Sequence, residues 1–168
     1  MKSFKNGEEF YNWRDSATES ELHDLVMEHS KCFSNSLCEN EDLLLEDEEI
    51  EDLFVCEVAR SGNIGEDTLT HLLNLDTNGD GGRYEQIRWA LIESPNLTIG
   101  LLNKIDPYGP LMARSITSHP LATSATLSRV FTEFISEEEI ISYLESEHIL
   151  SDFELRSYKI LIQAKLQS

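Results

Sequence analysis

The stretch Ala90-Leu91-Ile92-Glu93-Ser94-Pro95-Asn96-Leu97 joins two helical patterns. Its first apolar residues end one stripe, Ser94 and Pro95 interrupt it, and Leu101 and Leu102 belong to the next stripe. Proline is disfavoured inside a helix because it has no N–H to donate and its ring collides with the preceding turn. The stretch therefore predicts the end of one helix, a short turn and the start of another.

The same plan occurs twice more, in residues 58–64 and 115–122, which turn at Ser61 and His119. The three turns are offset by 33 and 25 residues, and the longer spacing contains the glycine-rich insert 76–82. A recurrence at such intervals predicts an array of short helical repeats. A leucine stands eight residues after each turn residue, at Leu69, Leu102 and Leu127.

Apolar residues recur at steps of three and four through most of the chain, which is typical of amphipathic helices. A serine followed three residues later by glutamate, the spacing of a capping box, occurs at Ser16, Ser136 and Ser151. No segment alternates apolar and polar residues as a half-buried strand does. The sequence predicts an all-α fold.

The turn at Ser94-Pro95-Asn96-Leu97, with Ala90 before it and Leu101-Leu102 after it, resembles the leucine-rich repeat variant family. That resemblance spans residues 58–131 and implies a short α-solenoid of stacked helix pairs, related to HEAT arrays. An irregular helical bundle is the alternative. We expect a single domain over residues 1–168. Its predicted parts are acidic N-terminal helices (1–57), repeat-like helix pairs (58–131) and C-terminal capping helices (132–168).

Charge limits the classes of partner. The 168 residues include 32 Asp and Glu against 13 Lys and Arg, for a net charge of −19. Such a surface repels phosphate backbones and anionic membranes, so we expect a basic protein partner and no direct binding to nucleic acid or membrane. No apolar run is long enough for a membrane helix, and the N-terminus turns acidic where a signal peptide would be apolar. Three cysteines, an odd number, fit a reduced, cytoplasmic protein.

The most acidic stretch lies in residues 39–57, and no Lys or Arg occurs between Cys32 and Ala59. Interleaved apolar residues predict an amphipathic helix with a negative face rather than a disordered tail. Like charges four residues apart, such as Asp47 and Glu51, destabilise a helix by a few tenths of a kcal/mol per pair. A role in binding would explain why the acids occur there despite this cost. A solvated face that maintains solubility is the alternative. The predicted partner-binding residues are Glu46, Asp47, Glu48, Glu49, Glu51 and Asp52, with Asp76 and Asp80 as an accessory loop.

Two possible metal sites are incomplete. Asp76, Asn78 and Asp80 resemble the start of an EF-hand calcium loop, but the position that needs a bidentate acid is Ile87. A polar turn between helices is the alternative. The set His29, Cys32, Cys38 and Cys56 lacks the close-paired spacing of zinc ligands, which favours a buried histidine and small hydrophobic cysteines.

Catalytic motifs are also lacking. The chain has no Gly-x-Ser-x-Gly, no phosphate-binding glycine loop and no His-Glu-x-x-His. The sequence therefore predicts no metal, no cofactor and no enzyme activity. Trp13, beside apolar neighbours, is expected in the core.

Three functions fit a small acidic helical protein of this kind. The first is a stoichiometric inhibitor of a basic protein, most simply an immunity protein that blocks the active site or substrate surface of a cognate nuclease toxin. In character and size the chain resembles bacterial immunity proteins of contact-dependent growth inhibition (toxin-immunity) systems. The second is a nucleic-acid mimic of the phage anti-restriction or anti-CRISPR type. A mimic should be negative along its whole length, whereas an immunity protein can be negative on one patch. Because 17 of the 32 acids lie in residues 1–57 and only seven in 58–131, the immunity protein is favoured. The third is a helical-repeat adaptor that binds a peptide or protein segment.

Overall fold

A computed structural model describes Phe4 and residues 7–34, 54–75 and 81–168. These residues form α-helices and contain no β-strand, so the predicted all-α fold is confirmed. No helix among them is long and apolar enough to cross a membrane. The helices are α1 (Gly7–Ser16), α2 (Glu19–Ser34), α3 (Phe54–Ala59), α4 (Glu66–Leu73), α5 (Gly81–Ile92), α6 (Ile99–Leu102), α7 (Pro110–Ser118), α8 (Ser124–Glu133), α9 (Glu137–Ser146) and α10 (Asp152–Leu166).

The chain divides into two compact units, unit 1 (Met1–Leu97) and unit 2 (Thr98–Ser168). In unit 1, α2 packs on α4 and α3 packs on α5. In unit 2, α7 packs on α9 and α8 packs on α10. Consecutive helices also pack on each other, α2 on α3, α4 on α5 and α7 on α8, and α10 packs on α7 as well. A solenoid over the whole chain, and the boundaries predicted at residues 57 and 131, stay predictions.

The three turns found in the sequence share one pair of backbone hydrogen bonds. The N–H of the turn residue donates to the carbonyl three residues earlier, over 3.0 Å at Ser61, 3.2 Å at Ser94 and 3.3 Å at His119. The carbonyl of the turn residue accepts from the N–H three residues later, over 3.4, 3.2 and 2.9 Å. In each case the next helix begins five residues after the turn residue. The predicted recurrence is confirmed at these turns, and the three leucines that follow them are fully buried: Leu69, Leu102 and Leu127.

Two asparagines link neighbouring turns of unit 1 at equivalent positions. Asn63 follows its turn serine by two residues and donates its amide to the Ala17 carbonyl over 3.1 Å. Asn96 stands at the same place in the next turn and donates to two carbonyls of the preceding turn, over 2.9 and 2.8 Å. In unit 2 the equivalent residue is Leu121, whose side chain has no donor. The amide links between turns therefore belong to unit 1.

Two of the three predicted capping boxes are confirmed. Ser136 caps α9 and Ser151 caps α10, each with the glutamate three residues later. Hydrogen bonds from the serine backbone N–H and hydroxyl hold the pKa of Glu139 and of Glu154 below the usual glutamate value. These bonds fix where both helices begin.

The third capping box is wrong. Ser16 is the last residue of α1, and its hydroxyl donates back to the carbonyls of Asn12 and Trp13, each over 3.0 Å. The box before α2 is made by Thr18 and Glu21, whose carboxylate accepts from the Thr18 N–H over 2.9 Å and from its hydroxyl over 2.8 Å. Because the two boxes overlap in sequence, spacing alone does not choose between them.

Candidate functional site

The residues predicted to bind a partner lie outside the described part of the chain. Glu46, Asp47, Glu48, Glu49, Glu51 and Asp52 fall within 35–53, and Asp76 and Asp80 fall within 76–80. Their role as a docking face therefore stays a prediction. The described residues of unit 1 contain a different acidic surface.

That surface is the outer face of α2. Leu22, Leu25 and Val26 are buried and hold one side of the helix against the core. Glu21, Asp24 and Glu28 recur at steps of three and four residues, and so share another side, where the first two are exposed and Glu28 is half-buried. We call these three residues the α2 acids. Asp24 and Glu28 repel each other at the i,i+4 spacing, which gives no stability to the helix.

The α2 acids line an open cleft together with an indole ring. The cleft has a volume of about 200 Å³, and Trp13 of α1 and Leu25 complete its lining. The Trp13 ring is half-buried, with its centroid 5.1 Å from that of Phe4 and 6.3 Å from that of Phe10. Carboxylates beside an aromatic ring suit an ammonium or guanidinium group, through charge-assisted hydrogen bonds and cation–π attraction. The cleft can therefore hold a lysine or arginine side chain.

A second cleft, of about 420 Å³, lies where α2 and α4 begin. It is lined by Thr18, Glu19, Ser20, His23, Asp67 and Thr68. Glu19 also lies against the backbone at Gly65, where a Cβ atom would collide with its carboxylate. A glycine before α4 thus leaves room for the acid at the start of α2. Both clefts place carboxylates around one helix.

Two histidines hold α2 against α4. The His23 Nδ1 lies 2.8 Å from the Thr68 hydroxyl, and the His71 Nε2 lies 2.9 Å from the Ser30 hydroxyl. Because the Ser30 hydroxyl donates its proton to the Val26 carbonyl over 2.6 Å, it accepts from His71, which assigns the imidazole proton to Nε2. Burial, and secondarily the nearby His23, lower the pKa of His71. The His23–Thr68 and His71–Ser30 contacts together hold in place the helix that carries the α2 acids.

Three arginines of unit 1 are engaged elsewhere. Arg14 and Arg60 both contact Glu57, at 3.0 and 2.6 Å, and Arg60 also contacts Glu93 at 2.7 Å. The Arg88 side chain is buried, with its guanidinium 4.1 Å from the centroid of a tyrosine ring. Within the described residues, none of these arginines forms an ion pair with the α2 acids. Their positive charges are held inside the unit.

Metal ligation finds no support in the part of the chain that the structure describes. No group of three or more His, Cys, Asp or Glu residues there has a geometry that could hold a metal ion. Cys56 is buried, as expected for a small hydrophobic cysteine. The side chains of His29 and Cys32, the whole of Cys38, and the partial calcium loop at Asp76 and Asp80 lie outside the described residues.

The sequence analysis did not single out the α2 acids, although their recurrence at steps of three and four residues beside the apolar stripe of α2 is a detectable signal. Trp13 was expected in the core, but it is half-buried and lines the cleft. Comparison of the chain with known protein families, curated proteins and solved structures finds no match.

Proposed function

We propose that this chain is a stoichiometric inhibitor that binds and neutralises a basic protein. In its specific form, it is an immunity protein that covers the active site or substrate surface of a cognate nuclease toxin. The proposed action is binding alone, with no catalysis and no cofactor, in the reducing environment of the cytoplasm, which the odd number of cysteines fits.

The observation that carries the proposal is the cleft of Trp13 and the α2 acids. Its acids lie on a helix held in place by buried leucines and by the His71–Ser30 hydrogen bond. The Asp24 and Glu28 carboxylates lie beside the Trp13 ring, and the Glu21 carboxylate, which also accepts from Thr18, lies at the same cleft. A preorganised acidic surface costs little ordering when a cationic partner binds. The cleft thus offers a rigid receptor for a basic side chain.

Charge distribution supports the same proposal. Residues 1–97 carry 23 acids and 7 bases, whereas residues 98–168 carry 9 acids and 6 bases. The net charges of −16 and −3 concentrate the negative potential in unit 1. Nucleases bind phosphate backbones through Lys and Arg, so an acidic unit would compete for that surface and steer fast association. A nucleic-acid mimic would need negative charge along its whole length, which makes it the less favoured function.

The test is affinity capture of partners from native cell lysate at low and at high salt, with bound proteins identified by mass spectrometry. We expect one small basic protein to stay bound at high salt and to be toxic when expressed alone. Several nucleic-acid enzymes released together by salt and displaced by added DNA would instead support the mimic. A partner whose binding is independent of charge would support the adaptor.

Charge-reversal variants locate the surface once a partner is in hand. Asp24→Lys with Glu28→Lys should slow association at least about tenfold, since both acids line the cleft. The matched control is Glu133→Lys with Glu138→Lys, which makes the same charge change at exposed positions of unit 2. Equal effects of the two variants would exclude the cleft as the contact.

A separate variant tests the acidic stretch within residues 39–57. Reversal of Glu48, Glu49, Glu51 and Asp52 to lysine tests the surface predicted from the sequence. If this variant loses binding and protection in cells while the α2 variant keeps them, the partner binds the predicted stretch and not the cleft. If both keep them, the proposed inhibition through unit 1 is wrong.

A further inference from the structure

The outer face of helix α10 displays two strongly exposed apolar side chains, Phe153 and Ile160, with the exposed Arg156 and Ser157 between them. Phe153 is 78% exposed and Ile160 is 66% exposed, the two largest exposures among the exposed apolar side chains that the structure describes. They stand seven residues apart, which places them on the same side of the helix two turns from each other. Exposed apolar residues in such a row mark an interaction surface more often than single scattered ones do.

The inner face of α10 is firmly attached to unit 2, so the outer face is presented by a fixed helix. Leu155, Tyr158 and Ile162 are buried, and the Tyr158 hydroxyl lies 2.7 Å from the Thr117 hydroxyl of α7. The Lys165 ammonium donates to the His119 carbonyl over 3.1 Å at the end of α7. Phe153 and Ile160 are therefore displayed without a need for α10 to detach.

We infer that the outer face of α10 binds the same face of a second copy of this chain, in an antiparallel pair. Charge favours this occupant. The segment 152–168 has two acids and three bases, for a net charge of +1, on a chain with a net charge of −19. Two copies that meet at α10 avoid the repulsion that contact between their acidic units would cause, and a cationic partner gains nothing there.

The order of charges along α10 sets the direction of the pair. Asp152 and Glu154 lie in its first turn, whereas Arg156 and Lys159 follow, the latter 3.7 Å from the Glu145 carboxylate of its own chain. In an antiparallel pair the acidic end of each helix lies beside the basic part of the other, and the two helix dipoles oppose. Phe153 of one copy then lies beside Ile160 of the other, and the two-fold axis generates the same contact a second time.

The expected dimer is weak. A single pair of 15-residue helices gives less than the roughly 800 Å² per partner of a standard stable interface. We therefore expect association at protein concentrations of about 0.1 mM and above. At lower concentrations the chain is a monomer.

Sedimentation velocity of the full chain from about 5 µM to 1 mM tests the proposal. We expect a concentration-dependent dimer. The variants Phe153→Glu and Ile160→Glu should each raise its dissociation constant by about tenfold or more. Ile99→Glu is the matched control, since it adds the same charge at an apolar residue of unit 2 that is 47% exposed. Thermal midpoints of the three variants should match the parent, because all three side chains are exposed.

Hydrogen exchange at low and high protein concentration then locates the contact. Added protection within residues 152–167 at high concentration is the expected result. A parent chain that remains monomeric at 1 mM would overturn the proposal. So would a dimer that Ile99→Glu weakens as much as Phe153→Glu does, or one whose added protection lies outside α10.

Discussion

Unit 1 and unit 2 contain the same turn and the same buried leucine after it, yet their surfaces differ. Residues 1–97 have a net charge of −16 and residues 98–168 a net charge of −3. Unit 1 links its turns through asparagine amides, whereas unit 2 has Leu121 at the equivalent position and displays Phe153 and Ile160. The comparison shows that the leucine after the turn is buried in both units, while charge and exposed apolar residues differ between them.

Replacement of the buried leucines tests whether the turns are equivalent in energy. Leu69→Ala in unit 1 and Leu127→Ala in unit 2 should each lower the free energy of unfolding by about 2–5 kcal/mol, through lost apolar burial and the cavity left behind. Urea denaturation followed by circular dichroism measures the change. Ile99→Ala, at an exposed apolar residue, is the control and should stay within about 0.5 kcal/mol of the parent. A loss below 1 kcal/mol at one leucine but not at the other would mean that the two turns are not equivalent.

Loss of the Asn96 amide tests the feature that distinguishes unit 1. Asn96→Ala removes two hydrogen bonds to carbonyls of the preceding turn and should cost about 1–2 kcal/mol of unfolding free energy. Asn96→Asp keeps the size of the side chain but replaces the donor by a carboxylate, so it should destabilise at least as much. If Asn96→Asp retains the stability of the parent, the amide bonds do not hold the turns together.

The helices and turns were predictable because both depend on local pattern. Periodic apolar residues and the Ser61, Ser94 and His119 turns are visible in the chain itself, and the structure has them in the predicted register. The start of α2 was not predictable, because Ser16 and Thr18 each stand three residues before a glutamate. Only the packing of α1, which uses the Ser16 hydroxyl for its own last turn, decides between them.

The candidate site was predictable only in its charge. A dense run of acids drew attention to residues 46–52, while the α2 acids are spread over two turns and are fewer. The role of Trp13 depends on how α1 packs beside α2, which no spacing along the chain encodes. Acidity of unit 1 is thus a sequence property, whereas the cleft is a property of the packed helices.

The start of α2 offers a sharp test of the corrected capping box. Thr18→Ala removes the hydroxyl that pairs with Glu21 and should cost about 1 kcal/mol of unfolding free energy. Ser16→Ala should cost less, because its hydroxyl only adds bonds to carbonyls within the last turn of α1. Ser136→Ala in unit 2 is the matched comparison, since it removes a confirmed capping serine. If Ser16→Ala proves more costly than Thr18→Ala, the box lies where the sequence first placed it.

The smallest expected effect is a dependence of unit 1 on pH through His71. Burial lowers the pKa of this imidazole below the ordinary histidine value of 6.5, so the folded chain binds a proton less readily than the unfolded chain. The contribution of His71 to stability is therefore fully present above pH 6.5 and is lost as the pH drops through the window between that value and the lower folded-state pKa. His71→Gln keeps an amide that can donate to the Ser30 hydroxyl but cannot titrate. Urea denaturation at pH 7.5, 6.5 and 5.5 should show a shallower decline for His71→Gln than for the parent, and equal declines would show that His71 does not couple the α2–α4 contact to pH.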